Sequence, residues 1–286
     1  MMKELKIRKL KKSPIQYISR TFLHVLLSAG AFFFVFPFLW MIISSFMTNE
    51  EIIASPITLW PSSFYLGNFQ DVFSEIPIGR AWLNSLIVSG IVTFSALFTS
   101  SIAGFMFAKM RFKGSNSLFI LVLSSMLFPT HVILIPLFLL SSRLHLIDSY
   151  LGIILPFLIS GFGVFLLRQF IYGIPNSLID AARIDGASDF RIYIRIILPL
   201  TKPILSALGI LIFVWTYDEF LWPLIVINSD SMKTVPIILG HFTRAHGSYP
   251  GASMAAATLV VIPVLIVYFI FQRNFIKGIS MTGAKY

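Results

Sequence analysis

Asp218 and Glu219 stand side by side in an otherwise apolar run, directly after Thr216 and Tyr217 and between Trp215 and Trp222. Carboxyl groups are costly in hydrocarbon, so a pair of them in such a run marks either a polar pathway or a bond between helices. In the first case a water-facing pair accepts hydrogen bonds from the hydroxyls of a polar solute, with Trp215 or Trp222 as a stacking surface. In the second the pair, kept neutral by burial, holds helices or subunits together. His131, between Pro129 and Pro136 in another apolar run, could face the same cavity or bond to a neighbouring helix.

Several kinds of chemistry are excluded by what the chain lacks. It has no cysteine, and therefore no disulfide framework, thiolate nucleophile or cysteine metal site. Its five histidines show no His-x-x-Glu-His spacing. No Gly-x-x-x-x-Gly-Lys-[Ser/Thr] segment occurs, so the chain is not expected to bind or hydrolyse ATP. An intramembrane hydrolase is disfavoured because no Gly-x-Ser-x-Gly accompanies a placed histidine.

The elements that position these residues are membrane spans. Of the 286 residues, 57% are apolar and 12% charged, about half the charged share of an ordinary soluble domain. A bilayer core about 30 Å thick needs roughly 20 apolar helical residues. Six segments qualify: 21–46, 84–108, 118–141, 150–172, 204–227 and 255–271. The expected fold is therefore an all-α membrane protein of six transmembrane helices. The first run is too long for a signal-peptide core and is read as a retained span. Residues 1–20 form a basic N-terminal segment, 21–276 the transmembrane domain and 277–286 a tail.

Six spans put both termini on one side. Of the 22 Lys and Arg residues, all except Arg80, Arg143, Lys233 and Arg244 then fall on that side. Lys/Arg excess marks the cytoplasm, so both termini and the loop between spans four and five are expected there. The net charge of +10 is thus a topology signal with a role toward membrane lipid, and nucleic-acid binding is not expected. The outside segments 47–83 and 228–254 are too short for folded domains. They are read as connections or as a platform for an external partner, with Arg244, His246 and Tyr249 as its polar groups.

The loop at 174–203 is the most specific feature. Ser177 and Asp180 fit a capping box that opens a short helix, and Gly186 suits a left-handed stop. Ser188 can cap a second helix carrying Phe190, Tyr193, Ile194 and Ile197, which Pro199 is expected to end. Ala181, Ala182 and Ala187 leave room for another surface to approach the backbone. By pattern alone the loop could equally be an amphipathic helix on the lipid interface.

Asp180-Ala181-Ala182, then Asp185-Gly186, Ile196 and Leu198-Pro199 stand in the register of the Glu-Ala-Ala…Gly…Ile-x-Leu-Pro loop. That loop is how membrane subunits of bacterial ABC importers contact their ATPase, and only Asp180 departs, replacing glutamate. The segments 126–129, 135–137, 84–86, 220–224 and 272–285 also resemble carbohydrate-type permeases of the maltose family. The resemblance implies a coupling helix between spans four and five and location in the bacterial cytoplasmic (inner) membrane. It also implies partnership with a homologous second permease subunit, two ATPase subunits that bind ATP and Mg, and an extracytoplasmic solute-binding protein. A cofactor in this chain is not implied. The acidic pair departs from the asparagine more usual at position 218, so ligand contacts cannot be carried over there. The competing reading is a stand-alone secondary transporter or channel.

Overall fold

The computed structural model describes the backbone of residues 14–56, 58–245 and 249–283, and the side chains among these except at 14–19, 130, 244–245 and 273–283. Every regular element among the described residues is helical. Among the described residues five helical stretches are long and apolar enough to cross a membrane: Arg20–Ser44, Ile78–Lys109, Tyr150–Tyr172, Asp189–Tyr217 and Pro250–Gln272.

In chain order the elements begin with α1 (Pro14–Ser44), α2 (Asn49–Ile53), α3 (Gly67–Glu75) and α4 (Ile78–Lys109). The next are α5 (Ser115–Ser125), α6 (Thr130–Arg143), α7 (Tyr150–Ile154) and α8 (Gly161–Tyr172). Then come α9 (Asn176–Ile184), α10 (Asp189–Ile192), α11 (Leu198–Tyr217), α12 (Leu221–Val226), α13 (Val235–Ala245) and α14 (Pro250–Gly283).

Helix α4 is the mast of the structure. Its 32 residues make a rod about 48 Å long at 1.5 Å per residue. It packs on α8 along one side and α11 along the other, and α11 in turn packs on α14. Ser85, Ser89, Ala96, Ser100 and Gly104 are buried along it. Inside a membrane helices gain nothing by hiding from lipid, so small residues that bring backbones together do the work. A Cβ on Gly104 would lie 2.9 Å from the Leu167 Cβ and 3.0 Å from the Arg168 backbone nitrogen. Gly104→Val is therefore expected to cost about 1–3 kcal/mol, the usual penalty of overpacking, read as a lower thermal midpoint of the purified complex. Gly90→Ala on the same helix, with nothing within 4 Å, should leave the midpoint unchanged.

The third predicted span is not one helix. Helix α5 stops at Ser125 and α6 starts at Thr130, with Pro129 at its N-cap. Proline lacks the donor a continuous ladder needs and biases the residue before it away from the helical region. The halves have 11 and 14 residues, each too short to cross alone. The fourth span is also interrupted, by a 3-10 turn at Leu155–Phe157. There α4 supplies the missing partners: Ser95 Oγ donates to the Leu158 carbonyl at 3.0 Å and Ser100 Oγ to that of Ser160 at 3.4 Å. Irregular backbone at membrane depth needs such donors.

The fifth span departs most from expectation. It runs Asp189–Tyr217 rather than 204–227, and Pro199 does not end a helix. One π-helical turn, Tyr193–Ile197, comes immediately before, and the Leu198 N–H reaches back to the Tyr193 carbonyl. The ladder shifts register there, and Pro199 falls in the first turn of α11, where its missing N–H is tolerated.

On the face opposite the 174–203 loop, short segments are tied down by side chains. Thr48 and Glu51 form a capping box at α2. Asn68 Nδ2 donates to the Ser45 and Met47 carbonyls at 3.0 and 2.8 Å. Asp148 accepts from the Asn228 and Ser229 amides at 3.0 and 2.9 Å, and from the Ser229 hydroxyl. The Ser229 hydroxyl and then its amide hold the Asp148 carboxyl below its ordinary pKa. The latch is therefore charged at neutral pH, and what it contributes is lost only as pH falls through that depressed value.

Candidate functional site: a helical knuckle and a cavity at a helix break

Pro175 stands at the N-cap of α9, which starts at Asn176. The expected capping box of Ser177 and Asp180 does not form: the helix begins before Ser177, which leaves Asp180 a turn inside it and exposed. The stop is as the sequence suggests. Gly186 has φ +77°. The Ala187 N–H donates to the Ala182 carbonyl at 2.9 Å and the Gly186 N–H to that of Arg183 at 3.0 Å. These two bonds satisfy the orphan carbonyls of the last turn. Ser188 Oγ then caps α10 by accepting from the Arg191 amide. An exposed Arg183–Asp189 pair at 2.9 Å braces the corner, worth about 0–1 kcal/mol at most.

One face of this knuckle belongs to the membrane domain. Ile179, Ile192 and Ile197 are buried in the main core, with Ala182, Ala187, Ile196 and Leu198 packed against it. The Tyr193 hydroxyl lies 2.6 Å from Ser101 Oγ on α4, and its ring lies 5.7 Å from that of Phe105. The opposite face carries Asp180, Ala181, Asp185 and Gly186, all exposed. It also carries Ile184 and Phe190, which are 86% and 71% exposed. The sequence reading did not single these two out as contacts. Exposed apolar side chains of this kind are covered either by a partner surface or by a lipid interface.

The second feature lies where α11 breaks. Asp218 caps α11, its N–H donating to the Val214 carbonyl at 2.9 Å, so the acidic pair sits at a helix end and not in mid-span. Tyr217 is buried, with its hydroxyl donating to the Val260 carbonyl on α14 at 3.1 Å. Val92, Pro156, Phe157, Ile159, Ser160, Ile212, Trp215, Thr216 and Glu219 line an open-sided cavity of about 280 Å³. The interruption of the fourth span thus opens onto the end of the fifth. Trp215 is 55% exposed and stands edge-on to Phe162 at 5.8 Å. Glu219 Oε1 accepts from the Trp222 amide at 3.1 Å, which fixes the start of α12.

The structure brings Trp215 and Glu219 together and separates the other candidates from them. Trp222 is 1% exposed, and its indole N–H donates to the Gly152 carbonyl at 3.0 Å. It joins α12 to α7 and offers no face for stacking, which corrects its place among the pathway residues. The Asp218 side chain is exposed and His131 is exposed at the start of α6, and neither lines this cavity. Arg168 is a partly buried residue of α8. Its Nε donates to the Phe107 carbonyl at 3.4 Å and its guanidinium lies over the Phe119 ring at 4.1 Å, pinning α5. The side chains of Arg244 and His246 lie outside the described residues. Among the described residues no group of three or more His, Asp or Glu is placed to hold a metal ion.

The chain is 37% identical over 258 residues to the arabinooligosaccharides transport system permease protein AraQ of Halalkalibacterium halodurans, a match covering 89% of this chain and 92% of that one. It is 31% identical to the lactose transport system permease protein LacG of Rhizobium radiobacter, covering 88% and 92%. It is also 31% identical to the sn-glycerol-3-phosphate transport system permease protein UgpE of Pectobacterium atrosepticum, covering 90% and 95%. Its fold is that of a chain in the crystal structure of a bacterial ABC transporter importing the acidic polysaccharide alginate, with TM-score 0.77, 22% identity and coverage of 93% and 99%. Residues 96–281, which contain the knuckle, match the family described as the binding-protein-dependent transport system inner membrane component. The chain belongs to that family and is a membrane permease subunit of an ABC importer.

Proposed function

We propose that this chain crosses the bacterial cytoplasmic membrane six times, with both termini and the α9–α10 knuckle in the cytoplasm, and moves a neutral sugar. The α5–α6 pair supplies the third crossing as a broken helix, an arrangement tolerated where protein or a cavity covers the break. Helix α9 is the coupling helix. It docks on one of two ATPase subunits, which bind ATP and Mg, while a homologous second permease completes the pathway and a solute-binding protein delivers the sugar from outside. ATPase closure moves α9 as a rigid lever and rocks the spans between inward- and outward-facing states.

The observation that carries this reading is the knuckle itself. It is anchored to the core on one face, and on the other it offers Ala181, Ile184, Asp185 and Phe190 around the Gly186 turn. A neutral sugar is favoured by the names of the arabinooligosaccharide and lactose relatives and by the cavity chemistry. Trp215 offers an apolar face and Glu219 an acceptor for hydroxyls, whereas a phosphorylated solute would be repelled by that carboxylate. The chain has no cysteine, so Ala181→Cys creates a single reactive site on the outer face of α9. Cross-linking of this site to the co-expressed ATPase, abolished by Phe190→Glu, is the expected result. Failure of every exposed α9 position to cross-link would remove the lever.

A further inference from the structure

Lys109 is the last residue of α4, and by residue type alone it is one more positive charge near a helix end. In the structure it is half-buried, and its ammonium is the hub of a three-way junction. It donates to the Tyr172 carbonyl at 3.3 Å, to the Ile174 carbonyl at 2.6 Å and to Asn176 Oδ1 at 2.8 Å. These acceptors cover the whole turn from the last residue of α8 to the first residue of α9. An ammonium has three donors and no acceptor, so the three contacts saturate it. The carbonyls at the end of a helix lack intrahelical partners and carry the negative end of its dipole, which suits a cation. Neither ion pair among the described residues involves Lys109. Backbone and amide oxygens, rather than a carboxylate, therefore fix its position.

The exit of the knuckle is held to the same helix through the Ser101–Tyr193 contact at 2.6 Å. Both ends of the lever are thus tied to α4, the helix on which α8 and α11 pack. We propose that Lys109 is a positioning residue of the transport cycle: it locks the entry of α9 to the cytoplasmic end of α4, so that a displacement of α9 reaches the centre of the bundle as well as the two spans adjoining the loop. This rests on α9 being the coupling helix. The tether itself can be measured whether or not α9 docks on an ATPase.

The test uses the full complex, with cysteines removed from the partner subunits and nitroxides at Phe98→Cys on α4 and Ala181→Cys on α9. Double electron–electron resonance reads the spread of distances between them. The parent protein should give one narrow distribution. Lys109→Met should lose it to a broad one, and Lys109→Arg, which keeps charge and donors, should retain it. Transport per ATP hydrolysed should fall by roughly 2- to 30-fold in Lys109→Met, the span seen for residues along coupling networks. Should Lys109→Met impair assembly, Asn176→Ala removes one acceptor only, and a smaller broadening is expected. A distribution as narrow in Lys109→Met as in the parent overturns the proposal. Equal broadening in the methionine and arginine variants also overturns it, by showing that side-chain shape and not the cation holds the junction. Broadening in Lys109→Met with no cross-link from Ala181→Cys would keep the tether and reject the coupling reading.

Discussion

Gly186→Pro is expected to leave the protein inserted in the membrane and to disconnect ATP hydrolysis from transport. Gly186 holds φ +77°, a region proline cannot reach because its ring fixes φ near −65°. The substitution also removes the N–H that donates to the Arg183 carbonyl. A misplaced proline costs ~3 kcal/mol or more, so the turn re-forms in another shape and α10 no longer leaves α9 at the native angle. The damage stays local, because Gly186 is exposed and no atom lies within 4 Å of where a Cβ would stand. Uptake should fall at least about tenfold, the factor that corresponds to 1.4 kcal/mol, while basal ATP hydrolysis continues. Gly186→Ala separates backbone from side chain: it meets no clash and carries only the left-handed penalty of about 1–2 kcal/mol, so its loss should be smaller. Normal sugar uptake by Gly186→Pro would sink the lever account.

Trp215→Ala should raise the solute concentration needed for half-maximal uptake while leaving assembly intact. Trp215 lines the 280 Å³ cavity, and its ring edge meets Phe162 without any buried hydrogen bond to lose. Removing a large apolar face from a contact forfeits about 1.5–3 kcal/mol, so roughly a tenfold or larger weakening is expected. Glu219→Gln keeps an oxygen to accept the Trp222 amide and removes the charge. It should therefore preserve α12 and alter which solutes are accepted, in particular relieving exclusion of anionic sugars. Trp222→Phe supplies the contrast: it deletes the bond to the Gly152 carbonyl and should lower complex stability with little effect on apparent solute affinity. If Trp215→Ala and Trp222→Phe behaved alike, the cavity would have no claim as a solute site.

Features set by local chemistry were readable in the sequence. The apolar runs predict six spans; five of these coincide with helical stretches long enough to cross, with shifted ends in the fifth, and the third is two short helices, while Gly186 and Ser188 predict the turn between α9 and α10. Features set by competition between neighbours were not. Pro129 splits a span while Pro136 and Pro203 ride inside helices, and a single chain of apolar residues does not reveal which proline finds substitute donors. Pro199 looked like a stop because a π turn, invisible to a period of 3.6, absorbs its missing donor. Asp218 and Glu219 looked mid-span because the run stays apolar through the break, and burial alone distinguishes Trp215 from Trp222. Lys109 was hidden for another reason: its acceptors are mostly backbone carbonyls more than sixty positions away, and carbonyls leave no trace in residue type.

The central claim is that this chain moves a sugar only when separate subunits hydrolyse ATP. Uptake of a labelled arabino-oligosaccharide or lactose into proteoliposomes tests it most directly. The vesicles hold the permease pair and the ATPase, with ATP and Mg on the ATPase side and the solute-binding protein on the other. The account predicts uptake that requires both ATP and the binding protein and that Gly186→Pro lowers at least about tenfold. Uptake that proceeds equally without ATP, following a solute or ion gradient through this chain alone, would contradict it and establish a self-sufficient transporter.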